Sequence, residues 1–244
     1  MIDNKYRIGV DVGGTFTDIV AVADDGSVIF TKASSTPSDP SIGVMNAIVR
    51  LSEELQIDVV PLLLQTERIV HGTTVATNAL LERKGAKTGL ITTFGHRDIL
   101  EMREGLKDDR YNMRLAPPET LVPRYLRLGV VERMRPDGTV HTVLDNASLD
   151  VAIEKLRDAE VKSVAVCYLH AYKEAKHEKE TRARIESKLP GVSVSLSSEV
   201  FPEIKEYERV STTVVNAYVR PVVEKYLNKL GDRLKDAGYI GPVS

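Results

Sequence analysis

Arg7–Val22 read RIGVDVGGTFTDIVAV, and this stretch decides how the chain begins to fold. Two short apolar runs, Arg7–Asp11 and Asp18–Val22, flank VGGTFT, the pattern of two antiparallel strands joined by a glycine turn. Adjacent glycines at such a tip let backbone N–H groups approach an anion with no side chain in the way, and Thr15 and Thr17 add hydroxyl donors. Asp11, at the end of the first strand, is placed to hold a hydrated Mg²⁺, which prefers one or two carboxylates plus phosphate oxygens to an all-protein cage. A phosphate-binding turn is expected, although Gly-Gly by itself is common in plain hairpins. The stretch is not a GxxxxGK[ST] loop, and it is not a dinucleotide fingerprint, which needs a helix where this chain continues as a strand.

Outward from the hairpin, the Asp25-Gly26 turn predicts a third strand at Ser27–Lys32 and so a meander. Apolar residues at Ile42, Met45, Ile48, Val49 and Leu55 predict a helix over Ser41–Leu55, introduced by Pro40. Strand Arg68–His71, helix Thr73–Lys84 closed by Gly85, strand Lys87–Thr92 and a short helix over Gly95–Glu101 then follow as β-α units, with parallel pairing expected. Arg103–Tyr125, rich in charge and proline, reads as an exposed excursion. Leu126–Arg133 and Thr139–Thr142 flank Pro136-Asp137-Gly138, which predicts a second hairpin.

From Asn146 the β-α style returns, with helix Ser148–Ala159, strand Ser163–Tyr168, helix Lys176–Leu189 and strand Val192–Ser195. A long helical pattern over Tyr207–Ala237 carries Pro221, where a kink or break is expected. It stops at Gly238, and Tyr239–Ser244 is expected to add no strand, as though the chain were cut there. The expected organisation is a nucleotide-binding region over 1–145, a small α/β layer over 146–200 and the helical start of a following half over 201–244.

Composition narrows the function classes. The 244 residues are 42% hydrophobic and 28% charged, values of an ordinary globular chain. Thirty-three Lys and Arg against 35 Asp and Glu give a net charge of −2, which leaves no electrostatic footprint for nucleic acid. The single cysteine, Cys167, excludes an internal disulfide and a thiolate metal cluster, and reads as a small buried side chain. The longest aliphatic run, Val59–Leu64, is far below a membrane span, and MIDNK has no signal-peptide pattern, so a cytoplasmic protein is expected.

His71–Arg83 read HGTTVATNALLER, a strand end followed by a helix start, with unpaired N–H groups and a positive dipole end beside two hydroxyls. This is a second anion site or a capped helix; read alone, capping is the commoner arrangement. His96, with Arg97, Arg103 and Arg110, has the composition to steer an anion, but such a basic loop is more often a solvated face. His170, at a strand end, is a candidate for acid–base work because imidazole as a side-chain type serves it, though strand-end histidines are more often structural. His170 and His177 have no carboxylate at metal-site spacing, so no transition metal is assigned. Glu199, Glu203, Glu206 and Glu208 crowd before the long helix, where negative charge suits the dipole.

DVGGTFTD at Asp11–Asp18 resembles the opening hairpin of the actin-like ATPase superfamily, whose ribonuclease-H-like fold wraps ATP phosphates with such a tip. With HGTTVATNALLERKGAKTGLITTFGHRDILE at His71–Glu101 and EYERVSTTVVNAYVRP at Glu206–Pro221, the chain is similar to the hydantoinase A/5-oxoprolinase family, which includes acetone and acetophenone carboxylase subunits. The resemblance implies an α/β, ribonuclease-H-like (actin-like ATPase) fold: an opening hairpin and meander, a mixed sheet flanked by helices, and a second small α/β layer. It implies ATP and Mg²⁺ as cofactors, a cyclic amide whose carbonyl is activated by phosphorylation for hydrolysis, or alternatively a ketone that is carboxylated, and a hydantoinase B-type partner subunit.

On the same resemblance Asp11, Gly13, Gly14, Thr15 and Thr17 meet the phosphates and Mg²⁺, with Asp11 as the metal ligand. His71, Thr73, Thr74 and Asn78 lie toward the reacting centre, and Glu206 and Arg209 lie near an interdomain cleft. Family members are longer and carry a second, FDxGGT-like turn that this chain lacks. The chain is therefore expected to be an N-terminal portion that does not turn over alone. A split or truncated interaction module without catalysis is the alternative of another class.

Overall fold

Strict alternation along Tyr6–Val12 turns Tyr6, Ile8, Val10 and Val12 to one side of strand β1, and all four are buried. In the computed structural model, which describes residues 5–105, 109, 111–116 and 118–244, β1 pairs antiparallel with β2 (Phe16–Ala23), and β2 with β3 (Val28–Ser34). The predicted meander is present. Helices α1 (Pro40–Leu55) and α2 (Val59–Leu64) lead to β4 (Thr66–Thr73), which lies parallel to β1, giving the order β3-β2-β1-β4. Helix α3 (Val75–Leu81) follows.

Helix α1 starts where it does because Asp39 accepts the Ser41 N–H and Pro40 occupies the first turn, a cap of about 1 kcal/mol. It ends at Gln56, whose left-handed backbone lets the N–H groups of Gln56 and Ile57 reach back to Glu53 and Ser52. Its buried stripe, Val44, Ala47, Ile48 and Leu51, packs on the inward residues of β1 and β2. Tyr226, Leu230 and Leu234, spaced one turn apart on the last long helix, complete this core.

The chain forms two compact units, one of residues 1–84 with 222–244, the other of residues 85–221. In the second, β5 (Thr88–Thr93), β6 (Arg127–Val130), β9 (Ser163–Cys167) and β10 (Ser193–Leu196) form a wholly parallel sheet in the order β10-β9-β5-β6. Burial of every residue of β5 and β9 is what a sheet covered on both faces requires. A two-stranded ribbon of β7 (Arg133–Met134) and β8 (Val140–Thr142) stands apart from that sheet. Helices α4 (Ile99–Met102), α5 (Asn146–Asp158), α6 (Lys176–Lys188) and α7 (Ser197–Val200) complete it, with the part of α8 (Glu206–Asp236) up to residue 221.

Four expectations are corrected. The second hairpin is shorter than predicted: Leu126–Arg133 splits, and Arg127–Val130 joins β5 in the main sheet, because its apolar residues are buried there while only Arg133 and Met134 pair with β8. Helix α3 is shorter than the expected Thr73–Lys84, running from Val75 to Leu81. Of the kink or break expected at Pro221, the break is absent, and helix α8 is continuous there. Proline costs a helix interior about 3 kcal/mol, but each large buried apolar side chain contributes about 2 kcal/mol, and Val210 and Val214 on one side and Tyr226, Leu230 and Leu234 on the other are all buried.

The terminal residues, fourth, do find a partner. Ile69 N–H donates to Pro242 O, Ser244 N–H to Ile69 O and His71 N–H to Ser244 O at 2.8 Å, a parallel bridge on the free edge of β4.

The two units meet in sequence at 84/85 and 221/222, and β5 pairs with β9 and β6 and not with β1 or β4. The excursion expected over Arg103–Tyr125 is exposed over most of its described residues, but its end is not: Val122 is buried in the core and Arg124–Leu126 form a 3-10 turn; Arg110 lies outside the described residues. Among the described residues no helix is long and apolar enough to cross a membrane.

Candidate functional site

The hairpin tip is shaped by backbone bonds. Gly13 N–H donates to Phe16 O at 3.0 Å, and a Cβ on Gly13 would lie 3.0 Å from that same carbonyl, so the turn needs glycine there. The N–H groups of Gly14 and Thr15 have no backbone partner among the described residues. A Cβ on Gly14 would meet nothing nearer than Asn78 Nδ2 at 4.0 Å, which leaves open space in front of the tip.

That space is a cleft of about 470 Å³ in the first unit. Its walls include Gly13 and Gly14, Thr74 and Asn78 at the start of α3, Asp39 at the cap of α1, and Lys225, Tyr226 and Lys229 on α8. The two predicted motifs therefore converge: Gly14 and Asn78, 64 positions apart in the chain, stand on one cleft. Asp11 lies in register between Asp18 of β2 and Gly72 of β4. Its carboxylate is exposed, and glycine at 72 keeps room beside it, since a Cβ there would come within 3.4 Å of Asp11 Oδ1.

Other predicted residues have different positions. Thr17 is fully buried, its Oγ1 3.0 Å from Ser35 Oγ, and Ser35 Oγ donates to Gly13 O at 2.8 Å. Thr17 thus braces the tip from beneath and does not wall the cleft. Thr15 is exposed at the tip. Thr73 Oγ1 accepts the Val75 N–H at 3.2 Å and caps the first turn of α3, which begins at Val75 rather than Thr73. Thr74 reaches back to Val12 O through its N–H at 3.3 Å, and Asn78 Nδ2 donates to Thr74 Oγ1 at 3.2 Å, so α3 is tied to the end of β1.

His71 stands behind the cleft, its Nε2 hydrogen-bonded to the Tyr226 hydroxyl. Burial lowers the His71 pKa below its ordinary value, and the nearby Asp11 charge opposes this only in part. Burial likewise raises the Tyr226 phenol, so both groups are neutral near pH 7. On the opposite wall, Lys229 donates to Asp39 Oδ2 at 2.8 Å, while Asp39 Oδ1 accepts the Ser41 hydroxyl at 2.6 Å. Among the described residues, Lys225 has no carboxylate at ion-pair distance and faces the cleft with its charge unshared.

Residues 7–189 match the model of the hydantoinase/oxoprolinase N-terminal region. The chain belongs to the hydantoinase/oxoprolinase family. It is 38% identical over 240 residues to the caprolactamase subunit alpha of Pseudomonas jessenii, covering 98% of this chain and 34% of that protein. The crystal structure of the ATP-dependent caprolactamase from the same organism superposes with a TM-score of 0.89, over 98% of this chain and 35% of that one. A nucleotide-free acetone carboxylase structure gives 0.87 at 28% identity, over 98% and 36%. The chain spans about a third of the length of these relatives. A mixed sheet and a parallel sheet, flanked by helices, are the actin-like fold class that the N-terminal motif implied.

Within this hydantoinase/oxoprolinase chain, sequence reading missed Asp39, Lys225, Tyr226 and Lys229. Asp39-Pro40 carried a cap signal that was open to notice. Tyr226 was legible only as one residue of an apolar stripe, and nothing local marks the Lys229–Asp39 pair, 190 positions apart. In the second unit, His96 Nε2 lies 3.3 Å from Arg133 and Arg97 is drawn to Asp98, so the basic loop is partly tied down. His177 Nδ1 is 2.8 Å from the buried Glu132 carboxylate, which also accepts the Thr93 hydroxyl. Burial pushes the Cys167 thiol up to about 12, as its inert reading requires.

Proposed function

We propose that this chain is the N-terminal, phosphate-holding part of an enzyme subunit that uses Mg·ATP to activate the carbonyl of a cyclic amide for hydrolysis. The observation that carries the reading is the cleft in which the open Gly14 tip faces Asn78 and the unshared charge of Lys225. Unpaired N–H groups at Gly14 and Thr15 are donors for phosphate oxygens, and Lys225 and Lys229 supply positive charge to the same space. Among the described residues no group of three or more His, Cys, Asp or Glu side chains is arranged to hold a metal. A Mg²⁺ held by one carboxylate, Asp11, together with phosphate oxygens fits that donor set.

Mg·ATP, when bound, would supply a phosphoryl group to the amide oxygen, which opens the carbonyl carbon to water so that the C–N bond can break. The chain's contribution is position and charge. The tip, braced by Ser35 and Thr17, holds its donors in fixed geometry, so little reorganisation is needed when charge develops. His71, hydrogen-bonded through Nε2 to Tyr226 behind the cleft, is the imidazole proposed to take up a proton.

Likeness to acetone carboxylase supports a second reading, in which the activated carbonyl is a ketone that is carboxylated. Either activity draws on the remaining two thirds of the longer relatives and on a partner subunit, proposed to be of the hydantoinase B type.

The test is ATP-coupled turnover of lactams and of ketones by the assembled enzyme, with and without Asp11→Ala. Loss of turnover with the variant supports the reading, and the active substrate class separates lactam from ketone. Turnover unchanged by Asp11→Ala overturns the metal assignment. Absence of Mg·ATP binding by the assembled wild type leaves the interaction module.

A further inference from the structure

Arg209, on the second-unit part of α8, is 1% exposed, yet its Nε and one terminal nitrogen have no hydrogen-bond partner in the fold. A guanidinium stays charged at any pH a folded protein meets, and a buried charge without partners is among the least favourable arrangements a fold can contain. No carboxylate of the described residues pairs with it. The one side-chain hydrogen bond it shares is with the uncharged Cys167 thiol, and Glu178, whose charge also acts on Cys167, is already engaged by Tyr168 N–H, Ser197 Oγ and Ser198 N–H.

The surroundings of Arg209 repeat the pattern. Its guanidinium carbon lies 5.3 Å from the Tyr172 ring centroid, a cation–π contact that orients the group without supplying an acceptor. The His170 ring meets the same Tyr172 edge-on, with centroids 6.0 Å apart, and its buried Nδ1 also has no partner. His170 holds a left-handed backbone at φ 58°, which turns the chain sharply just after β9. These residues follow the carboxyl end of β9, beside the point where the order β10-β9-β5-β6 reverses. In open parallel sheets that is where ligands bind.

We propose that the carboxyl end of this parallel sheet holds a compact oxyanion, a carboxylate or phosphate group, on Arg209 and His170. The site is built from the second unit alone and does not depend on the function proposed for the first. An oxyanion supplies what the fold lacks: negative charge, and two acceptor oxygens for a guanidinium that presents its donors as a fork.

The test reads Arg209 directly. In the full chain, the Arg209 Nε–H resonance, assigned by its loss in Arg209→Met, is followed while sodium phosphate or sodium acetate replaces sodium chloride at constant ionic strength. A saturable shift is expected with at least one of the two. Response to phosphate alone assigns a phosphate group, response to acetate alone a carboxylate, and response to both a general oxyanion site. His170→Asn, which tolerates the left-handed backbone, is expected to weaken the response about tenfold or more. The wild-type thermal midpoint should rise with the effective anion, and that of Arg209→Met should not. An Nε–H resonance unmoved by both salts, or a response unchanged in His170→Asn, overturns the proposal; if Arg209→Met does not fold, Arg209→Lys provides the assignment.

Discussion

The Tyr226 hydroxyl is hydrogen-bonded to His71 Nε2, joining the end of β4 to the long helix across 155 positions of sequence. His71 was singled out by its motif and Tyr226 was not. Yet the Tyr226 ring packs on the imidazole, with centroids 5.3 Å apart.

Burial is the largest influence on His71 and lowers its pKa from the ordinary 6.5. The unfolded chain therefore binds the proton more readily than the folded one. Stability from this group is fully present above pH 6.5 and is lost as pH falls through the lower folded value. An NMR titration of the His71 ring is expected to give a midpoint below 6.5; a midpoint at or above it contradicts the assignment.

Tyr226→Phe keeps the buried ring and removes only the hydroxyl. The expected loss is about 1 kcal/mol in chemical denaturation, the net value of one part-buried hydrogen bond. A loss as large as that of a core truncation would show that the hydroxyl does more than pair with His71.

Asp39 is held down to about 2, first by the Lys229 hydrogen bond and then by Ser41, from an ordinary 3.8. Its folded pKa is depressed, so its contribution is present above pH 3.8 and disappears as pH falls toward 2. Asp39→Ala loses both cap and ion pair, an expected cost of about 1–2 kcal/mol. Asp39→Asn keeps the cap and should cost about 0.2–1 kcal/mol, as partly exposed ion pairs do. Equal effects of the two variants would rule out the cap.

Two glycines separate stability from binding. A Cβ on Gly85 would fall 2.1 Å from the Tyr218 ring, so Gly85→Ala should cost about 1–3 kcal/mol. A Cβ on Gly14 meets nothing nearer than 4.0 Å. Gly14→Ala should leave the thermal midpoint within a degree or two while weakening Mg·ATP binding by the assembled enzyme. Unimpaired binding would remove Gly14 from the phosphate site.

Glu132, buried between Thr93 and His177, is the polar centre of the second unit. Glu132→Ala orphans two buried donors, each costing about 1–3 kcal/mol, and a total loss near 3 kcal/mol is expected from denaturant unfolding. A loss below 1 kcal/mol would mean that water replaces the carboxylate.

Sequence reading succeeded where the physics is local. The apolar runs Arg7–Asp11 and Asp18–Val22, the Gly13-Gly14 turn, Pro40 at the start of α1 and the stripe of α8 each depend on neighbours within a few residues. The opening meander, most of the helices and the two motifs that line the cleft were accordingly legible from the chain. Tertiary structure decided what depends on partners far away in sequence. Arg127–Val130 joins the main sheet because β5 offers it a parallel edge, Pro242–Ser244 pairs because the edge of β4 is open, and Thr17 turns inward because Ser35 is beneath it. Asp39 and Lys229, or His71 and Tyr226, meet only once the sheet and α8 have packed. Periodicity reports which face of an element is buried; it carries no information about which distant side chain that face will meet.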